Sequence, residues 1–249
     1  MTYARLKQNG GIFYAELKDG AYYSLSGDLF KNPQVAESQV QGAFELLAPV
    51  TPSKIIALGV NYSSHAAEMG EQIKPEPLLF MKPPSALLNP GGQIVIAHPE
   101  NRTDYEAELA VVIGKECKNI CAEDADEYIF GYTCANDVSD RVLQKHDGQW
   151  IRAKGFDTYC PMGPHIVTGL SPAALRVQSV LNGEVRQNST TDKMITGVFA
   201  AVAFISNIMT LLPGDVIMTG TPEGIGPLQS GDEIEIRIEG VGSLINSVK

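Results

Sequence analysis

No run of apolar residues approaches the ~20 that a membrane-spanning helix requires. The opening Met-Thr-Tyr-Ala-Arg-Leu-Lys also lacks the apolar centre of a leader peptide. A soluble chain without a membrane partner is expected. There is no cluster of Lys or Arg, and 19 basic residues stand against 29 acidic ones, a formal net charge of −10. A surface that tracks phosphates is thereby excluded, and with it nucleic acid as a partner. The four cysteines, Cys117, Cys121, Cys134 and Cys160, form no C-x-x-C pair, which disfavours both a disulfide framework and a zinc site. Reduced thiols in a cytoplasmic protein are the expectation. Internal repeats and low-complexity stretches are absent as well. An anionic substrate on so acidic a chain needs locally fixed positive charge, which a metal and a few Lys or Arg supply.

What is present suits a β-rich globular chain. A hydrophobic content of 44% over 249 residues is enough for one sizeable core, and 24 Gly and 15 Pro, scattered along the chain, imply many turns between short strands. From Tyr3 to about Phe30, β-formers alternate with Asn9-Gly10-Gly11, Lys18-Asp19-Gly20 and Ser26-Gly27-Asp28, the pattern of a small antiparallel meander. Residues 31–52 are polar and less patterned and read as a connector, so the boundaries are 1–52 for this part and 53–249 for the main domain. Ile55 to Val60 reads as a buried strand, followed by a turn into a helical segment through His65 and Glu68. Gly70, Pro75 and Pro77 stop that segment, and residues 66–78 read as a mobile lid. Val202, Ile205, Ile208, Met209 and Leu212 have helical spacing, which predicts a helix over Val198 to Leu212. The C-terminal part returns to strands, with Ile234, Ile236 and Ile238 alternating against charged residues.

The most informative segment runs from Asp104 to Gly114. Side chains two apart on a strand share a face, so Glu106 and Glu108 point the same way. At about 7 Å, two strand rises, their repulsion calls for a cation or a proton if the site is partly buried. Asp137 ends a second β-like run, Tyr132 to Asn136, that can lie beside the first. Three hard oxygen ligands without His or Cys suit Mg²⁺, Mn²⁺ or Ca²⁺ and leave positions for water and substrate. On the strand pattern alone, the solvated face of an edge strand is the commoner place for such a pair.

In its order of motifs the sequence resembles the fumarylacetoacetate hydrolase family from about Lys54 onward. The shared pieces are Gly59-Val60-Asn61-Tyr62 with His65 and Glu68, Phe80-Met81-Lys82-Pro83, and Asp104-Tyr105-Glu106-Ala107-Glu108-Leu109. They continue with Asn136-Asp137-Val138-Ser139-Asp140-Arg141 and Gln144, Lys154-Gly155-Phe156-Asp157, and Thr219-Gly220-Thr221-Pro222. Each piece alone is weak, and six in order over one domain are specific. The resemblance implies an α+β fold, a mixed β-sandwich roll with peripheral helices, usually a homodimer. It implies Mg²⁺ or Mn²⁺ on Glu106, Glu108 and Asp137, and a lid carrying a His/Glu pair. It further implies one of three reactions that share an enolate: C–C cleavage of acylpyruvate-like substrates, decarboxylation of oxaloacetate-like acids, or isomerisation of hydroxymuconate-type dienoates.

The chemistry of the residues is consistent with that. A metal held near the carboxylate and keto oxygens of a small oxo-acid is a Lewis acid where enolate charge develops. For hydrolysis, Glu68 is expected to orient His65, one turn away, so that His65 takes a proton from water. Lys154 is expected to neutralise the oxyanion or the bound carboxylate. Arg141, Gln144 and Thr221 are candidate substrate-binding residues. Outside the resemblance each has a plainer reading: His65 and Glu68 as an exposed helical pair, Lys154 on the surface, Arg141 paired with Asp140 or Asp137, Gln144 lining a helix, Thr221 in a turn. His98, His146 and His165 read as structural. Longer members carry a large N-terminal domain and a further acid upstream of the His, where Leu58-Gly59-Val60-Asn61 offers none. The chain is therefore similar to the short members, with a Mg²⁺-dependent acylpyruvate hydrolase as the leading expectation. The alternatives are a 2-hydroxyhepta-2,4-diene-1,7-dioate isomerase, an oxaloacetate-type decarboxylase and, remotely, a Ca²⁺-stabilised β-domain without catalysis.

Overall fold

Strand Ala107–Ile113 organises the molecule. Every residue in it is buried, so both of its faces must be covered. Leu109, Val111 and Ile113 point into one apolar cluster with Val177, Ile234, Ile236, Ile238, Leu244 and Val248. Ala110 and Val112, of opposite parity, point into another with Ile55, Ala57, Met162, Ile166, Val216 and Met218. A strand buried on both faces reads as a continuous apolar run, as Leu109-Ala110-Val111-Val112-Ile113 does.

The computed structural model describes all residues, Met1–Lys249. Its larger sheet is mixed and follows a path whose centre is Cys160–Val167, Ile129–Asn136, Ala107–Ile113, Val216–Met218, Ile55–Gly59 and Leu78–Lys82. Only the pairing of Val216–Met218 with Ile55–Gly59 is parallel in that central stretch. A second sheet, in the order Glu184–Thr190, Arg176–Leu181, Glu233–Ile238, Gly242–Val248, Gln93–Ile94, lies against its face. Four α-helices stand around them: α1 (Ser63–Met69), α2 (Arg141–Asp147), α3 (Ile151–Lys154) and α4 (Val198–Ile208). The expected α+β class with a mixed β-sandwich is what the chain forms. No helix is long and apolar enough to cross a membrane.

The N-terminal meander is present as strands Thr2–Gln8, Gly11–Lys18 and Ala21–Ser26, and its first strand hydrogen-bonds to Cys160–Val167, which continues the larger sheet. Residues 31–52, read from sequence as a connector, contain two more strands, Gln34–Gln39 and Glu45–Leu47. Gln34–Gln39 ends the sheet with one neighbour and is exposed along nearly all its length. An edge strand wetted on both faces has no apolar alternation to reveal it. The helix expected to reach Leu212 stops at Ile208, because the Leu211 N–H and carbonyl are both paired with the backbone of Cys117 at 3.0 Å. That bridge draws the segment out of the helical path.

Candidate active site

Ala110, Met218, Ala57 and Phe80 lie side by side in one row across four strands. Just beyond this row the strands end on the same side, and each delivers part of a cavity. Val216–Met218 runs into Thr219, Gly220 and Thr221, while Ile55–Gly59 leads through Asn61 into α1 and His65. Glu106 sits at the joint where Thr103–Tyr105, which belongs to a separate three-stranded sheet, passes into Ala107–Ile113. Asp137 directly follows Ile129–Asn136, and its N–H donates to the Glu106 carbonyl at 2.9 Å. The Glu106 N–H in turn donates to the Asn136 side-chain oxygen at 2.9 Å. These two bonds fix the positions of both carboxylates from the backbone up.

Glu106, Glu108 and Asp137 are buried, and each offers an oxygen within 4.8 Å of the others. Two of the acids are held by buried cations. Glu106 accepts from Arg141 Nη2 at 2.5 Å and from Lys154 Nζ at 2.9 Å. Asp137 accepts from Lys154 Nζ and from Lys82 Nζ, both at 2.5 Å. Glu108 has no cation, and its Oε2 accepts only the Gly220 N–H, at 2.7 Å.

The electrostatics follow from that inequality. Burial works to raise the Glu106 carboxyl, but Arg141 and Lys154 outweigh it and hold the group below the usual carboxylate range. Burial pushes Glu108 well above that range, and the negative Asp137 and Glu106 push it further. For Lys154, burial favours the neutral amine, yet Asp137 and Glu106 overcome this and keep it charged. Three buried carboxylates converging with one under-compensated form a donor set that fits a hard divalent cation, and the site can hold a metal.

All nine residues singled out in the sequence come together here. His65, Glu106, Glu108, Gln144, Lys154 and Thr221 line one cavity of ≈ 380 Å³, counted to its open mouth. Glu68, Asp137 and Arg141 stand directly behind them. Glu68 Oε2 is 3.3 Å from His65 Nδ1, and His65 Nε2 is 3.8 Å from Glu106 Oε1. The His65 and Lys154 side chains are buried, so neither is the exposed residue that a local reading suggests.

Arg141 pairs with Asp104 at 2.8 Å and with Glu106, rather than with Asp140 or Asp137. Asp140 instead caps α2, accepting from the Val142 and Leu143 N–H groups at 3.0 Å. Gln144 accepts from Arg141 Nη1 at 2.7 Å. The Thr221 hydroxyl donates to the Ala107 carbonyl at 2.9 Å and accepts from Gln187 Nε2 at 2.7 Å, so it ties the cavity wall to the strand.

Several contributors had no role assigned from sequence, although Phe80 and Lys82 stand in one of the shared motifs. Lys82 is 1% exposed, and beyond its place in that motif its hint is a lysine on an otherwise apolar strand, which when buried needs an acid. Phe80 and Trp150 form an aromatic wall, with the Lys154 ammonium 4.7 Å and 5.6 Å from their ring centres. Trp150 comes this close because residue 59 is glycine: a Cβ there would lie 2.6 Å from the indole ring.

A model of the family "Fumarylacetoacetate (FAA) hydrolase C-terminal" matches residues 54–249. The chain belongs to the fumarylacetoacetate hydrolase family. Among its members, an uncharacterised protein of Methanocaldococcus jannaschii is 50% identical over 200 residues, covering 80% of this chain and 84% of that one. A mitochondrial oxaloacetate tautomerase of Rattus norvegicus is 40% identical over 228 residues, covering 87% of this chain and 72% of its own. In three dimensions, 5-carboxymethyl-2-hydroxymuconate delta-isomerase from Mycobacterium smegmatis superposes with a TM-score of 0.92 at 42% identity, over 100% of this chain and 99% of that one.

Proposed function

We propose that this member of the family is a Mg²⁺- or Mn²⁺-dependent enzyme that shifts a proton beside the keto group of a small oxo-acid, as a keto–enol tautomerase or a dienoate isomerase. The observation that carries the reading is the pairing of one oriented imidazole with one fixed ammonium on the same cavity. Glu68, acceptor-only when ionised, accepts a hydrogen bond from His65 Nδ1–H, which assigns the tautomer and leaves the Nε2 lone pair free. Nε2 then removes a proton from the carbon next to the keto group and returns it either to oxygen or further along a conjugated chain. Lys154, kept charged by Asp137 and Glu106 against the effect of burial, presents positive charge toward the oxygen on which negative charge develops. Phe80 and Trp150 line the same cavity with their rings beside this ammonium. Arg141 holds the Glu106 carboxylate in place and orders Gln144 at the cavity wall. When bound, a divalent ion on Glu106, Glu108 and Asp137 would supply Lewis-acid polarisation of the keto oxygen. The names of the rat tautomerase and the mycobacterial isomerase support a proton shift over bond cleavage.

A second reading, hydrolysis of a C–C bond in an acylpyruvate-type substrate, draws on the same His65–Glu68 pair used to deprotonate water. One assay series separates the two: oxaloacetate, acetylpyruvate and a hydroxymuconate-type dienoate, each with Mg²⁺, with Mn²⁺ and with chelator, on wild type and His65→Asn. The expected result is metal-dependent tautomerisation or isomerisation that His65→Asn lowers by about 100-fold or more. Acetylpyruvate cleavage as the fastest reaction would favour the second reading. Full tautomerisation by His65→Asn would remove His65 as the base.

A further inference from the structure

A seven-residue helix carries the base, and such a helix does not hold itself in place. α1 has Tyr62 at its N-cap with no side-chain capping bond, and isolated helices this short are unstable in water. Its position must come from what it touches, and on the side of His65 and Glu68 that is the loop after Thr221. Ser64 Oγ donates to the Glu223 carboxylate. The Gly224 N–H lies 3.1 Å and 3.3 Å from the two oxygens of Glu68. One bond engages the first turn of α1, and the other engages the turn that bears the partner of His65.

The loop is itself rigidly held from below. The buried Gln187 donates from Nε2 to the Thr221 hydroxyl at 2.7 Å and to the Pro222 carbonyl at 2.8 Å. The buried Tyr105 hydroxyl donates to the Gly224 carbonyl at 3.1 Å. Gly224 has φ +93°, and a Cβ there would run into the Arg186 carbonyl oxygen. Only glycine allows the chain to present this amide to Glu68 without displacing the strand beneath.

We propose that Glu223 and Gly224 are positioning residues for the His65 base. The Gly224 amide fixes the Glu68 carboxylate that selects the His65 tautomer, and the Glu223–Ser64 bond holds α1 so that Nε2 faces the cavity. The inference rests on the reading of His65 as the base. It also makes the Thr221–Gly226 loop a shared support, with Thr221 on the cavity wall and the next residues setting the imidazole.

The test uses Glu223→Ala, Ser64→Ala and Glu223→Gln in the full-length Mg²⁺-loaded protein, since Gly224 variants would strain the fold. Two quantities are read: turnover of the best substrate from the assay series, and the His65 ring nitrogens by ¹⁵N NMR. Glu223→Ala and Ser64→Ala are expected to lose about tenfold in kcat with little change in KM, as misplacement of a catalytic group does. In both, the His65 ring signals should move or broaden as the single tautomer is lost. Glu223→Gln keeps an acceptor oxygen for Ser64 and should recover most of the turnover and the wild-type ring signals. Wild-type signals and turnover in Glu223→Ala, or a Glu223→Gln protein as impaired as Glu223→Ala, would overturn the proposal. His65→Asn keeps the two ideas apart. If it remains active, the base assignment fails while the ring signals still judge the loop. If it is inactive and Glu223→Ala behaves as wild type, the loop proposal fails and the base assignment stands.

Discussion

Glu108 is the residue on which the charge balance of the site turns. Lys154, Arg141 and Lys82 neutralise Glu106 and Asp137, whereas Glu108 is buried beside both acids with one backbone N–H as its partner. Its carboxyl is therefore raised in the folded, metal-free protein, chiefly by burial. The sign of the linkage follows. A carboxyl raised on folding is favoured while protonated, so metal-free stability declines as pH climbs from the unfolded carboxylate range toward the folded value. A cation must displace that proton, so metal affinity should rise with pH. Glu108→Gln imitates the protonated acid. Calorimetry should find metal binding lost, and thermal unfolding of the metal-free variant at pH 8 should occur no lower than in wild type. Lys82 behaves in the opposite way. Removing it in Lys82→Met leaves Asp137 Oδ1 buried without its cation, which should cost about 3–5 kcal/mol in urea unfolding. The carboxylate pair was legible because strand parity places residues two apart on one face. The role of Lys82 was not, although it stands in a shared motif, since nothing local distinguishes a buried lysine from one that reaches solvent along its stem.

Among the elements, those with a period were legible and those held by tertiary contacts were not. Ile55–Gly59, Ala107–Ile113 and Glu233–Ile238 show their burial in their residues. Gln34–Gln39 has no buried face to show, and α4 ends early because Leu211 finds a partner 94 residues before it in Cys117. Helix α1 was expected from His65 and Glu68, but what anchors it lies more than 150 residues onward at Glu223 and Gly224. The docking of the N-terminal meander gives a prediction at this scale. Tyr22, on Ala21–Ser26, meets His165 Nε2 at 2.8 Å, and burial lowers the His165 pKa. A histidine lowered on folding is neutral in both states above its unfolded pKa of about 6.5, and below that the unfolded chain takes up the proton more readily. Stability should therefore fall as pH drops through and below that value. Part of this slope should vanish in His165→Gln when unfolding is followed between pH 7.5 and 5.5. Tyr22→Phe, which removes one hydrogen bond, should cost about 1 kcal/mol at pH 7.5.

At the scale of the whole molecule, an acidic chain of net charge −10 gathers Lys82, Arg141 and Lys154 around one cavity, where the sequence alone showed no basic cluster. The three cations are 59 and 13 residues apart in sequence, and only the convergence of strand ends and of α2 and α3 brings them together. The order of motifs was enough to place the fold and to single out the three acids that the fold brings together. The strand order, and the pairing of Thr2–Gln8 with Cys160–Val167, have no counterpart in local pattern, because they depend on which apolar faces remain to be covered once the sandwich forms. The central claim is that His65, with a divalent ion on Glu106, Glu108 and Asp137, moves a proton at the carbon beside a keto group. Deuterium exchange at that carbon of oxaloacetate, followed by ¹H NMR in D₂O against the uncatalysed background, measures this without reference to later bond breaking. Exchange should be accelerated by the Mg²⁺-loaded protein and brought back to background by chelator, by Glu108→Gln and by His65→Asn. Exchange at the background rate with Mg²⁺ present, or acceleration that persists in His65→Asn, would contradict it.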